Sequence, residues 1–178
     1  MSSQAPAAQA ATQTAPHASP AHAHPVPAIG TRLPDFTLKL AGKEGATEFT
    51  LSKHLGQGPL VFAFFPLAFT GTCTKEMCDL RDTLPQFQGL KAQVFGFSTD
   101  TSPVNVEFAK LHALGQGILS DPNREVVPRI WATATVAGVH NVAKRGVMVV
   151  APDGTVQWTS VSDDPKVWIG SDEVRKHL

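Results

Sequence analysis

The two cysteines of the chain, Cys73 and Cys78, are its strongest candidates for chemistry. Cys73 follows an apolar run and a Thr-Gly-Thr turn within the stretch PLAFTGTCTKEMC, so we expect it in the first turn of a helix. Free backbone N–H groups at a helix N-terminus favour an anionic side chain, and the thiolate is the nucleophilic form of cysteine. The pattern predicts a reactive thiol at Cys73, with two inert buried cysteines as the alternative.

A helix N-terminus alone does not activate a thiol strongly. Lowering the pKa of a thiol from about 8.5 to about 6 requires roughly 3.4 kcal/mol, whereas a helix terminus supplies about 0.3–1 kcal/mol and at most about 2. We therefore expect a cation near Cys73, and the candidates are Lys75, Arg81, Lys144 and Arg145. Lys75 is two residues along the helix and should face away, while Arg145 begins a predicted strand and could point into the site. Residue spacing does not choose among them.

Cys78 poses a geometric problem because it shares the predicted helix with Cys73. Five residues of a regular helix span about 7.5 Å of rise and about 140° of rotation, but the Cα atoms of a disulfide lie roughly 4.4–6.8 Å apart. The two cysteines can pair only if the helix unwinds, and otherwise Cys78 is a bystander. Cys78 lies beside the apolar stripe of the helix, where a purely structural cysteine is less expected.

Composition excludes several other classes of function. Fifteen basic and fifteen acidic side chains balance in 178 residues, which gives no net charge to favour nucleic acid or an anionic membrane. No apolar run reaches the ~18 residues of a membrane-spanning helix. Two cysteines cannot form the framework of a small disulfide-rich domain, and they lack the spacing of a zinc site. His22 and His24 lack further ligands, so we predict neither a metal nor a cofactor.

The first 29 residues differ in composition from the rest of the chain. They are rich in Ala, Pro and His and contain no Lys or Arg. They lack the charged and apolar regions of a secretory signal, and a transit peptide would be rich in Arg. We predict a disordered tail at residues 1–29, one domain at residues 30–178, and the cytoplasm as the default compartment.

Hydrophobic periodicity predicts an α/β fold for the domain, with a mixed sheet and helices on both faces. Strands are expected at residues 33–40, 47–51, 59–65 and 92–98, and the stretch RGVMVVAPDGTVQWTSV predicts a terminal hairpin. Helices are expected after Gly71 and at residues 104–114, 124–132 and 171–178. Pro85 is expected to end or kink the first of these. The apolar positions of that helix recur at steps of four, three, four and three: Cys73, Met77, Leu80, Leu84 and Phe87.

A family resemblance rests on the same residues. Pro66, Thr70 and Cys73 form a Pro-xxx-Thr-xx-Cys signature, and GFSTD, VEFAKLHAL, GILSDPNREV and KRGVMVVAPDGTV follow it in order. Together these stretches resemble the peroxiredoxins over residues 30–162, closest to the AhpE and bacterioferritin-comigratory (Q-type) branches. Residues 98–100, Ser-Thr-Asp, are not a hydrolase triad, because no histidine lies at a recognisable spacing.

The resemblance implies a thioredoxin-like fold and thiol-dependent reduction of hydrogen peroxide and organic hydroperoxides. Cys73 would be the peroxidatic nucleophile and would become a sulfenic acid. Thr70 would hold the peroxide, Arg145 would stabilise the thiolate and the developing oxyanion, and Pro66 would shield the pocket. Glu76 would orient the arginine.

The resemblance also implies a role for Cys78, since the Cys-xxxx-Cys spacing is similar to that of the Q-type branch. There the second cysteine resolves the sulfenic acid as an intramolecular disulfide, which thioredoxin or a similar dithiol would reduce. Three alternatives stay open: a one-cysteine enzyme with an external thiol, a redox sensor or relay, and a non-catalytic thioredoxin-like module. A monomer or homodimer is expected, without nucleic acid or membrane partners.

Overall fold

The computed structural model describes residues 26–178, and its elements follow the apolar patterns of the sequence. The strands are β1 (Thr37–Gly42), β2 (Gly45–Thr50), β3 (Leu60–Phe64), β4 (Gln93–Ser98), β5 (Gly117–Ser120), β6 (Thr133–Val136), β7 (Val139–Ala143), β8 (Gly146–Val150) and β9 (Val156–Val161). The helices are α1 (Leu51–His54), α2 (Gly71–Gly89), α3 (Ser102–Leu111), α4 (Val127–Ile130) and α5 (Ser171–Arg175).

Strand β3 is an interior strand of a mixed seven-stranded sheet, whose order is β2-β1-β5-β4-β3-β8-β9. It pairs in parallel with β4 and antiparallel with β8, so that Phe62 lies between Phe95 and Met148. Every residue of β3 is buried, as expected for a strand with helices on both faces of its sheet. Strands β6 and β7 form a separate antiparallel hairpin.

Two apolar cores lie on opposite faces of this sheet. Phe62 and Phe64 of β3 belong to the first core, against which α1 and α4 pack. Val61 and Ala63 belong to the second core, which includes buried residues of α2, α3 and α5. Helix α2 comes very close to β4, because a Cβ at Gly96 would lie only 2.9 Å from the sulfur of Met77. The predicted mixed sheet with helices on both faces is confirmed.

Several element boundaries differ from the sequence predictions. The strand predicted at residues 33–40 begins only at Thr37, because Pro34 lacks an N–H and the Asp35 carboxylate accepts the N–H groups of Phe36 and Ser52 (3.0 and 2.9 Å). Helix α2 continues through Pro85. A proline removes one helix hydrogen bond, and the burial of Phe87 on the far side offsets that loss.

The helix predicted at residues 124–132 shortens to the four residues of α4. The carboxylate of Asp121 accepts the backbone N–H groups of Glu125, Val126 and Val127 at 2.7–2.9 Å. Side-chain acceptors therefore replace the helical carbonyls in the loop that precedes α4. Helix α1 and strands β5, β6 and β7 were not predicted, since each has five residues or fewer and shows no clear period.

The predicted tail falls almost entirely on residues 1–25, which lie outside the described residues. Val26 packs against the first core, although it precedes the predicted domain boundary at Gly30. Among residues 26–178, no helix is long and apolar enough to cross a membrane.

Candidate active site

Cys73 is the third residue of α2 and is inaccessible to solvent. The chain leaves strand β3 at Phe64 and enters α2 at Gly71, and Thr70 occupies the N-cap position in an extended conformation. The hydroxyl of Thr70 does not cap the helix, because it donates instead to the Leu67 carbonyl (2.9 Å). The first amide N–H groups of α2 are consequently left for a ligand or for the sulfur.

Arg145 is the cation that the structure places at Cys73. Gly146 pairs with Phe64 across β8 and β3, so Arg145 lies beside the point where β3 leads into the active-site loop. Its Nη2 donates to the Cys73 Sγ at 3.0 Å, and only 2% of the arginine is exposed. Burial of both groups excludes water, which strengthens the attraction between a guanidinium and a thiolate.

Two further contacts hold the guanidinium. Arg145 Nη1 donates to Glu76 Oε2, and Arg145 Nε donates to the Pro165 carbonyl at 2.8 Å. A guanidinium has five N–H groups, and three of them are used by Cys73, Glu76 and Pro165. Within residues 26–178, the other two N–H groups, one on each terminal nitrogen, form no hydrogen bond to the protein.

Glu76 lies one helical turn after Cys73 and is completely buried. Its Oε1 has no hydrogen-bond partner within residues 26–178. A buried carboxylate with one unpartnered oxygen is costly unless it is paired, and Arg145 supplies the pair. The contact of Glu76 with Arg145 suits the predicted role of orienting the guanidinium, although a charged Glu76 also opposes a thiolate at Cys73.

The other candidate cations are directed elsewhere. Lys75 is exposed, as the helical spacing predicted. Lys144 pairs with Asp163 at 2.6 Å, and its hydrogen bond to that carboxylate lowers the pKa of Asp163 below its ordinary value. Arg81 bonds Asp82 at 2.8 Å and the carbonyl of His112.

Pro66 is buried and lines a cavity of about 160 Å³ together with Arg145. The remaining wall comes from the β6–β7 hairpin and from residues 162–165. Cys73 does not line this cavity, whereas Arg145 both lines it and contacts the Cys73 sulfur. A second cavity, of about 390 Å³, lies at the β1–β2 hairpin, and neither cysteine lines it.

Cys78 is half-buried and lies on α2, which is continuous from Gly71 to Gly89. Both cysteines are free thiols, as the helical geometry requires. Asp79, the next residue, accepts hydrogen bonds from Trp168 Nε1 (2.7 Å) and the Ser171 N–H (2.8 Å). These contacts tie α2 to the C-terminal segment close to Cys78.

Some residues of the site had no signal in the sequence. The Pro165 carbonyl contacts Arg145 through the backbone, and any residue type could supply that oxygen. Asp79 meets Trp168, which lies 89 residues further along the chain. Within the described part of the chain, no group of three or more His, Cys, Asp or Glu side chains could hold a metal ion.

Comparisons of sequence and fold relate the chain to one protein family. Residues 29–159 match the AhpC/TSA family. Alkyl hydroperoxide reductase E from Mycobacterium tuberculosis is 29% identical over 152 residues, which cover 79% of this chain and 92% of the relative. A chloroplastic peroxiredoxin Q from Sedum lineare is 39% identical over 128 residues, which cover 72% of this chain and 66% of the relative. The crystal structure of peroxidoxin BcpB from Mycobacterium tuberculosis matches with a TM-score of 0.67 and 29% identity, over 78% of this chain and 88% of that one.

These matches confirm the resemblance seen in the sequence and the thioredoxin-like fold. They also confirm the predicted activity, in which a peroxide is the substrate and a thiol is the reductant. The chain therefore belongs to the AhpC/TSA family and is a peroxiredoxin of the AhpE and Q type, a thiol-dependent peroxidase.

Proposed function

We propose that Cys73 is the peroxidatic nucleophile and that Arg145 activates it. The observation that carries this proposal is the 3.0 Å contact between Arg145 Nη2 and the Cys73 sulfur in a buried site. The thiolate attacks the terminal oxygen of a hydroperoxide, the S–O bond forms and the O–O bond breaks. Cys73 becomes a sulfenic acid, and the alkoxide or hydroxide that leaves takes up a proton to become an alcohol or water.

The hydrogen-bonding capacity of the site suits a hydroperoxide. Two N–H groups of Arg145 remain to donate to the peroxide oxygens, where negative charge develops as the O–O bond breaks. The hydroxyl of Thr70 already donates its proton to Leu67, so its lone pairs can accept the O–H of the peroxide. Pro66 covers the site on the cavity side. Substrates therefore include hydrogen peroxide and small organic hydroperoxides.

Cys78 resolves the sulfenic acid. The first turns of α2 unwind, the Cys78 thiolate attacks the Cys73 sulfur, and a disulfide forms as water leaves. Loss of the helix is required because the intact geometry keeps the two Cα atoms too far apart. A dithiol such as thioredoxin then reduces the disulfide by thiol–disulfide exchange and becomes oxidised itself.

Replacement of Cys78 by serine tests this cycle. The Cys78→Ser variant should reduce one equivalent of peroxide at the wild-type rate, accumulate sulfenic acid at Cys73, and lose turnover with thioredoxin. Cys73→Ser is the control and should be inactive in both assays. If Cys78→Ser turns over like the wild type with the same dithiol, Cys78 is a bystander and an external thiol resolves the enzyme. If the wild type shows no steady turnover with any thiol, the protein acts as a redox sensor or relay.

The assembly and the compartment stay predictions. The sequence predicts a monomer or a homodimer in the cytoplasm, with thioredoxin or a similar dithiol as the reducing partner. Light scattering on the reduced and the oxidised protein measures the first of these directly.

A further inference from the structure

Asp100 contacts the active-site loop, residues 66–70, through a hydrogen bond to the loop backbone. The Ala68 N–H donates to Asp100 Oδ2 at 2.8 Å. In the part of the chain that the structure describes, no other side chain from outside the loop forms a hydrogen bond to it. Residues 98–100 lack the histidine of a hydrolase triad, and Asp100 has no role in the proposed reaction of Cys73 with peroxide or in its resolution by Cys78.

The peptide unit that Asp100 contacts is the one that orients Thr70. The Ala68 N–H and the Leu67 carbonyl belong to the same peptide unit, and that carbonyl accepts the Thr70 hydroxyl at 2.9 Å. A peptide unit is planar, with its N–H and C=O on opposite sides. A carboxylate that fixes the N–H therefore also fixes the direction of the carbonyl. Two hydrogen bonds in series lead from Asp100 to the hydroxyl that faces the peroxide.

The loop needs such support because its backbone is strained at Phe69. This residue has φ of +62°, in the left-handed region that side chains other than glycine seldom adopt. Half of Phe69 is exposed, and its ring contacts Phe108 edge-on at 5.1 Å between centroids. The hydrogen bonds on both sides of the 67–68 peptide unit lie one residue before Phe69 and hold the backbone that leads into this conformation.

Asp100 is itself anchored to the rigid part of the domain. Ser98 Oγ donates to Asp100 Oδ2 (3.2 Å) and accepts the Asp100 N–H (3.1 Å). The buried Asn105 of α3 donates to Ser98 Oγ at 3.1 Å and to Ser120 Oγ of β5 at 2.8 Å. The loop is thus connected through Asp100 to β4, α3 and β5.

We propose that Asp100 is a positioning residue for peroxide reduction, acting through the 67–68 peptide unit on the Thr70 hydroxyl. The proposal rests on the proposed function, in which Thr70 accepts the peroxide O–H. Asp100 does not contact Cys73, so it sets the reactivity of the site toward peroxide and leaves the intrinsic reactivity of the thiolate unchanged.

The test compares two reactions of Cys73 in a Cys78→Ser background. One is single-turnover oxidation by hydrogen peroxide, and the other is alkylation by iodoacetamide, which needs the thiolate but not Thr70. Asp100→Ala should slow oxidation by about ten- to a hundredfold, the order of loss caused by a small misplacement of a reacting group, with alkylation unchanged. Asp100→Asn keeps an oxygen at the acceptor position and should restore most of the oxidation rate.

Three further variants keep the test decisive. Asp35→Ala removes a carboxylate that likewise accepts backbone N–H groups, before β1, and should leave both reactions unchanged. If Asp100→Ala fails to fold, Ser98→Ala loosens the same carboxylate and should slow oxidation selectively by a smaller factor. The proposal is overturned if oxidation and alkylation fall together, or if neither changes. Thr70→Val distinguishes failure of the proposed function from failure of the inference about Asp100. If Thr70→Val is oxidised at the normal rate, the proposed role of Thr70 is wrong. If Thr70→Val is oxidised slowly but Asp100→Ala at the normal rate, only the inference about Asp100 is refuted.

Discussion

The hydrogen bonds of Asp79 should limit how fast Cys78 reaches Cys73. Asp79 Oδ2 accepts hydrogen bonds from Trp168 Nε1, just before α5, and from the N–H of Ser171, the first residue of α5. Trp168 also packs against the second core. Cys78 cannot move toward Cys73 without displacing its neighbour in the chain. We therefore expect the C-terminal segment to detach from Asp79 before the disulfide forms.

The size of the effect follows from these two contacts. A hydrogen bond to a charged acceptor contributes about 1.5–3 kcal/mol, and the lower figure applies because Asp79 and Trp168 are only half-buried. Asp79→Ala should weaken the attachment by about 3 kcal/mol, and Trp168→Phe by about 1.5 kcal/mol. At 1.4 kcal/mol for each factor of ten, the open helix should become up to about a hundredfold more populated in the first variant and about tenfold in the second.

Rapid quenching after one equivalent of peroxide, followed by mass spectrometry, measures disulfide formation directly. Both variants should form the disulfide faster, and amides 74–80 should exchange faster with solvent. Asp82→Asn is the matched control, since it also removes a negative charge of α2 near Cys78. That carboxylate is exposed and, among residues 26–178, its side-chain partner is Arg81. If Asp82→Asn also forms the disulfide faster, the effect of Asp79→Ala is due to the loss of negative charge and not to the loss of its hydrogen bonds. If both Asp79→Ala and Trp168→Phe form the disulfide at the wild-type rate, the hydrogen bonds of Asp79 do not limit this step.

Three other predictions follow from the site and the fold. Arg145→Ala should slow peroxide reduction and lower the free energy of unfolding by about 3 kcal/mol or more, because Glu76 is left buried without a partner; the double variant with Glu76→Gln should recover stability but not activity. Removal of residues 1–25 should leave the melting temperature and the peroxidase rate unchanged, since their composition lacks the apolar side chains that join a core; a clear drop in either quantity would contradict this. The hydrogen bond from the Ser52 side chain is the main cause that lowers the pKa of Asp35. The ionised Asp35 should therefore stabilise the fold above the ordinary carboxyl pKa, and this stabilisation should be lost as the pH falls through the lower pKa of the folded state. Denaturation of Asp35→Asn should accordingly depend less steeply on pH in acid.

The sequence was sufficient where a local pattern reports the structure. The recurrence of Cys73, Met77 and Leu80 predicted the buried face of α2, because helical periodicity depends only on neighbouring residues. The uninterrupted apolar run of β3 predicted an interior strand for the same reason. A helix terminus supplies less free energy than activation of a thiol requires, and this difference predicted a cation at Cys73. It did not distinguish Arg145 from the three other candidates.

The remaining features depend on contacts between distant parts of the chain. Strand β5 has four residues and is defined by its partners β1 and β4 on either side. Asp79 and Trp168 meet only because α5 packs against the face of the sheet that carries α2. The Pro165 carbonyl and the Ala68 N–H act through the backbone, so their residue types carry no information about their roles.

In the proposed two-cysteine cycle, helix α2 has to be folded at one stage and unwound at the next. In that cycle, reduction of peroxide by Cys73 would need the first turn folded, because free N–H groups, Arg145 and Glu76 converge there in the helical conformation. Resolution by Cys78 would need the same turn to unwind as far as Cys78. An added oxygen on a sulfur with no accessible surface destabilises the folded turn only after the first step has occurred. Oxidation of Cys73 would therefore favour opening at the stage at which the proposed cycle requires it. Until then the helix would be held closed by Asp79 and by the Met77 carbonyl, which accepts a hydrogen bond from Gln116 at 2.7 Å.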